Sequence, residues 1–197
     1  MKTSDRQKSI RICVFCGARP GDNKIYTETA AQLGSEIAKI GACLTYGGGR
    51  LGLMGSVADS VLKAGGRILG VFPAFLGEHL VLKDKQVEHI LVDDLLQRKA
   101  LLIKHSDAFV ALPGGLGTLD ELIEVLTWRQ LRQLNKPIGL LNTNDYFSPI
   151  LGVFEHIVAK GFLGKNELDG LVVEPNPKIL IKKITRLIEE NEKIDFF

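Results

Sequence analysis

Residues 106–128 read SDAFVALPGGLGTLDELIEVLTW. The apolar run at 108–112 has the length of a buried strand, and Gly114, Gly115 and Gly117 make the next positions a turn. Beyond them Leu122, Val125 and Leu126 recur at helical spacing, which predicts a helix over 118–132. A strand passing through a glycine turn into a helix is the repeating unit of a parallel sheet. The same pattern lies on the N-terminal side. IRICVFCG at 10–17 predicts a strand over 10–16 that ends at Gly17, before a helix at 25–40. A strand at 43–46 runs into Gly47, Gly48 and Gly49, before a helix at 53–64. Further strands are predicted at 67–72, 137–141 and 171–173, and further helices at 94–106, 147–160 and 177–191. Gly41, Gly65 and Gly161 stand where helix C-caps favour glycine. The expectation is an α/β fold: a doubly wound, Rossmann-like parallel sheet with helices on both faces. It is read as a single domain over 1–197, with a polar tail at 1–9 and a frayed C-terminus at 192–197. Segment 73–93 is the least regular and is read as a loop or flap over a site.

The totals narrow the function classes. The 197 residues are 45% hydrophobic, enough to bury one substantial core. Lys plus Arg number 25 against 23 Asp plus Glu, so a net charge of +2 gives no reason to expect a nucleic-acid polymer or an anionic membrane as partner. No apolar run approaches a membrane span and the first ten residues do not resemble a signal peptide, so a cytoplasmic protein is expected. Cys13 and Cys16 form C-x-x-C within a strand, where residues three apart face opposite ways. With Cys43 they are read as core thiols, not as a redox pair or disulfide framework. His79, His89, His105 and His156 lack metal-ligand spacing.

The three glycine turns all fall where a strand hands over to a helix, at the carboxyl edge of a parallel sheet. There they converge on one crevice. Glycine lets backbone N–H groups approach a phosphate, and helix N-termini add donors, so a phosphorylated ligand is expected. Neither YGGGRLGLMG (46–55) nor PGGLGT (113–118) matches the Walker or G-x-G-x-x-G pattern, so neither a P-loop NTPase nor a common dehydrogenase is indicated. Thr118 and Glu121 spell T-x-x-E, which fits a capping box as well as a catalytic carboxylate. Arg98 and Lys99 open the helix before the PGGLGT strand and reach the same edge; a solvated face would account for the pair too.

RKALLIKHSDAFVALPGGLGTLDELIEVLTW (98–128) closely resembles the signature of the Lonely Guy (LOG) family of cytokinin-releasing phosphoribohydrolases: an RK pair, PGGxGTxxE and a following TW. CVFCGARPG (13–21), YGGGRLGLMG and KPIGLLNTNDYF (136–147) extend the resemblance over nearly the whole chain. It implies hydrolysis of the N-glycosidic bond of a purine nucleoside 5′-monophosphate, cytokinin-type or AMP, to free base and ribose 5-phosphate. It implies Arg98 and Glu121 as the catalytic pair, with no metal or organic cofactor, and a homodimer or higher oligomer. Lys99, Gly114, Gly115, Gly117, Thr118 and Thr127 fall at the nucleotide by the same resemblance. The glycine turns and their flanks add Gly17, Gly48, Gly49, Met54, Pro113 and Leu116, and Glu78 lies near the place of a carboxylate that relatives carry. Ala18 and Leu95-Leu96 depart from the usual serine and Met-His, which bears on base preference but not on reaction type. The label lysine decarboxylase, given to some relatives, finds no pyridoxal-lysine context here.

The competing reading is a non-catalytic nucleotide binder or carrier of the same superfamily, because fold does not fix function. On the helix DELIEVLTWRQLRQL (120–134), Leu122, Val125, Leu126 and Trp128 exceed the apolar surface one sheet face needs. Both a subunit contact and ordinary core packing fit them.

Overall fold

A computed structural model describes residues 9–194. The chain runs β1 (Arg11–Phe15), α1 (Lys24–Lys39), β2 (Cys43–Tyr46), α2 (Gly52–Lys63), β3 (Arg67–Pro73), β4 (Val87–Val92), α3 (Leu95–Lys104), β5 (Ala108–Ala111), α4 (Leu116–Gln130), β6 (Ile138–Leu141), α5 (Ser148–Ala159), β7 (Leu171–Glu174) and α6 (Pro177–Ile194). One seven-stranded sheet forms in the order β4-β3-β2-β1-β5-β6-β7, with every named pair parallel. From β1 the chain winds outward through β2, β3 and β4, then returns to β1's other side with β5. The reversal puts a crevice beyond the carboxyl ends of β1 and β5.

Strand alternation divides the core. Ile12, Val14, Leu44 and Val110 pack with residues of α1, α2 and α6 on one face. Cys13, Phe15, Phe109 and Ala111 pack with those of α3, α4 and α5 on the other. The helices therefore cover both faces, as the alternating pattern predicts. Positive φ at Gly41, Gly65 and Gly161 fits the expected helix ends.

Three expectations need correction. Residues 73–93 are not loop throughout, because 87–92 form β4 at the sheet edge. The charged and polar Glu88 and His89 obscure an apolar run that is exposed along one side. The connection from β3 is also tied to the second glycine turn, through Leu82 N–H to the Gly48 carbonyl (3.2 Å) and Arg50 N–H to the Leu80 carbonyl (3.0 Å). Second, α4 starts at Leu116, with Gly115 as N-cap, so Thr118 is the third helical residue. It cannot be the N-cap of a capping box, and its N–H donates to the Gly115 carbonyl (3.0 Å). Third, α6 continues through Ile194, within the span 192–197 expected to fray. Residues 195–197 and all of the polar tail except Ser9 lie outside the described residues.

Candidate active site

The crevice at the reversal point has a volume of 760 Å³. Backbone bonds tie its walls together: Gly17 N–H donates to the Pro113 carbonyl (3.1 Å), and Leu53 N–H donates to the Gly17 carbonyl (3.0 Å). Gly17, Met54, Arg98, Pro113, Gly114, Gly115, Gly117, Thr118 and Glu121 all line it. Among the described residues, the N–H groups of Gly114, Gly115, Leu116 and Gly117 have no hydrogen-bond partner. These are the donors that a helix N-terminus leaves open, and they favour an anion.

Arg98 owes its place to the start of α3. The Asp94 carboxylate accepts from Gln97 N–H (2.7 Å), while the Gln97 side chain accepts from Asp93 N–H (3.1 Å), a reciprocal cap that fixes the first turn. From there Arg98 Nε donates to the Val71 carbonyl (3.3 Å), and Nη1 lies 3.0 Å from Glu121 Oε1. The ion pair is off-axis, because Oε1 forms no hydrogen bond. A Cβ on Gly47 would lie 2.0 Å from Arg98 Nη2, so the second glycine turn makes room for this guanidinium. Glu121 is only 8% exposed. Burial raises its carboxyl above the ordinary glutamate value; Arg98 opposes that shift without cancelling it.

Several expected site residues are elsewhere in this chain. Lys99 turns away to pair with Asp120 (3.2 Å) and Glu124 (3.5 Å); burial works against its charge, but the two carboxylates hold its ammonium above the usual value. Leu116 points outward, 86% exposed, because it occupies the first turn on the solvent side of α4. Thr127 lies further along that helix and donates to the Ile123 carbonyl (2.8 Å). Gly48 packs against Phe72 and Gly49 against Met54, each behind the cavity lining. Glu78 begins a 3-10 turn, Glu78–Leu80, and its side chain lies outside the described residues.

Other lining residues are not expected at the site from sequence: Arg19, Tyr26 and Tyr146 among them, and Cys16, which is read as a core thiol. Cys16 is thus only partly core, and burial and Glu121 push its thiol upward. Its position at the end of β1, next to Gly17, was the available signal. Among the described residues no group of three or more His, Cys, Asp or Glu side chains could hold a metal ion. A larger depression of 1240 Å³ lies at the opposite sheet edge, with Arg11, Arg67, Lys85 and Lys104 around it. No glycine turn reaches it, and Lys104 closes the last turn of α3, where a cation complements the helix dipole.

The family described as "Possible lysine decarboxylase" matches residues 54–184. The cytokinin riboside 5′-monophosphate phosphoribohydrolase LOG1 of Arabidopsis thaliana is 41% identical over 187 residues, covering 95% of this chain and 88% of that one. The chain belongs to the LOG family. A second LOG relative from the same plant, LOG4, is 40% identical over 206 residues, covering 99% and 96% of the two chains. Among solved structures, the molybdenum cofactor binding protein of Rippkaea orientalis is similar at a TM-score of 0.70 and 25% identity, covering 92% of this chain and 99% of that one. The molybdenum cofactor carrier protein of Chlamydomonas reinhardtii, at 0.69 and 22% with coverages of 92% and 99%, shares the fold. No helix among the described residues is long and apolar enough to cross a membrane.

Proposed function

We propose that this chain hydrolyses the C1′–N9 bond of purine nucleoside 5′-monophosphates, releasing the free base and ribose 5-phosphate. The observation that carries the reading is a buried carboxylate, Glu121, one helical turn beyond the open N–H groups of Gly114–Gly117. One turn is about 5.4 Å along the axis, so a phosphate held at the helix start brings its ribose over the carboxylate. As the bond to the base lengthens, positive charge builds on the sugar, and ionised Glu121 stabilises it. The same carboxylate orients the attacking water and accepts its proton, the departing base takes a proton from solvent, and the carboxyl then returns its own to solvent, so one water is consumed with no net change in protons. Arg98 keeps Glu121 aimed, and its off-axis contact leaves guanidinium donors for a ribose hydroxyl.

A pyridoxal-dependent decarboxylase would need a lysine in the crevice, and none lines it. The relatives' names make cytokinin riboside 5′-monophosphates, with AMP, the substrates to try first. Cys13, Cys16 and Cys43 are all free, which supports a reducing, cytoplasmic setting. We also assign the chain to a homodimer. Leu122, Val125 and Leu126, which a subunit contact and core packing fitted equally, are buried in the core. Leu116, Ile123 and Leu131, spaced seven and eight apart, form an exposed apolar stripe beside half-exposed Trp128, and this stripe carries the assignment.

The test is release of adenine from AMP, or of the substituted base from its N6-isopentenyl analogue. Glu121→Gln, which keeps the side-chain volume, should lower kcat by roughly 10²–10⁴-fold and leave nucleotide binding by calorimetry largely intact. Nucleotide recovered unhydrolysed from the wild-type protein, across the substrate panel, would favour the carrier reading.

A further inference from the structure

Tyr146 stands at the mouth of the crevice and has no part in the chemistry described above. Its hydroxyl donates to the carbonyl of Gly114. Its ring meets Tyr26 edge-on at 6.0 Å, and Tyr26 lies under Gly21, where an added Cβ would come within 2.7 Å of the ring. One side chain thus braces both the turn after β1 and the turn after β5.

The loop that presents it is costly to build. Asn144 (φ 50°) and Asp145 (φ 55°) are consecutive non-glycine residues in the left-handed region. Such a conformation persists only where its surroundings over-determine it. Here Asn142 does so: its side-chain oxygen accepts from Phe147 N–H (2.7 Å), and its amide donates to Ser148 Oγ (3.3 Å). Phe147 is buried in the core beneath the loop, so the chain turns sharply and leaves Tyr146 directed at the crevice. The Tyr146 ring also meets Phe147 edge-on at 5.1 Å, so aromatic packing places the ring and the hydroxyl adds the contact to the Gly114 oxygen.

Gly114 and Gly115 share a peptide unit, and in a planar trans peptide the carbonyl and the following N–H point in opposite directions. Holding the Gly114 oxygen therefore fixes the direction of the Gly115 N–H, one of the open donors. We propose that Tyr146 is a positioning residue for the 5′-phosphate, acting through the Gly114–Gly115 peptide. The inference rests on the phosphoribohydrolase reading and deepens it. Without the tyrosine hydroxyl this peptide is free to rotate, and a phosphate must fix it on binding.

Tyr146→Phe removes only that hydroxyl, from a side chain that is partly exposed. One net hydrogen bond is worth roughly five- to tenfold in affinity. KM for the nucleoside monophosphate and Ki for ribose 5-phosphate should rise together by about that factor, with kcat within roughly twofold and an unchanged thermal midpoint. A fall in kcat at constant KM would overturn the proposal, as would unchanged values of both KM and Ki in an active wild-type background. If the wild-type protein neither releases base nor binds ribose 5-phosphate, the underlying reading fails and takes this proposal with it. That outcome is seen before the variant is measured, so the two failures are distinct.

Discussion

Glu121 carries two opposing influences, and their balance has a sign that kinetics can read. Burial raises its carboxyl and Arg98 lowers it, with the net shift upward. In the proposed mechanism the ionised form is the active one, so protonation on lowering the pH should slow turnover. The acid limb of kcat/KM should therefore lie at higher pH than for an exposed glutamate. Arg98→Ala removes the opposing charge and should move the limb higher still; a limb at or below the ordinary glutamate value would contradict this account. Helix placement brings Arg98 and Glu121 to one sheet edge, but the residues by themselves leave a solvated face and a capping box open, and it is the resemblance to the LOG signature that singles out the pair. Tyr146 was not legible. Its direction depends on two left-handed residues, Asn144 and Asp145, at positions where a sequence reader expects glycine.

Among the elements, the glycine turns and most helices follow from spacing alone, while strand β4 and the start of α4 do not. β4 mixes Glu88 and His89 into its apolar run, since an edge strand needs only part of its surface covered. The T-x-x-E spacing gave α4 an equally good but later start, and only the N–H to carbonyl pattern at Gly115 decides against it. Helix pairing supplies a further test at this scale. Gly34 lies where α1 meets α2, and a Cβ there would come within 2.3 Å of the Val57 carbonyl oxygen. Helix propensity alone would make alanine better by about 1 kcal/mol. Overpacking against backbone costs about 1–3 kcal/mol, and here the obstacle is not a flexible side chain. Gly34→Ala should lower the thermal midpoint by a few degrees, with roughly 2–4 °C expected per kcal/mol for a chain of this size. A raised midpoint would mean that the two helices separate freely.

For the whole molecule, the order of strands decides where chemistry is possible. The winding reverses at β1, and the crevice follows from that reversal. The helix stripe of Leu116, Ile123 and Leu131 leads us to expect twice the monomer mass by light scattering at micromolar concentration, and the double change Ile123→Asp with Leu131→Asp should return it to one. A wild-type monomer would end the dimer assignment. Both border strands, meanwhile, carry charge: Glu88 in β4, and Glu174 in β7, paired with Lys183. Adding a foreign strand at either margin would have to bring its backbone alongside these ionic groups, so lateral growth is disfavoured. Association through a helix face by a twofold axis closes on itself, so the proposed dimer would favour finite particles over fibrils.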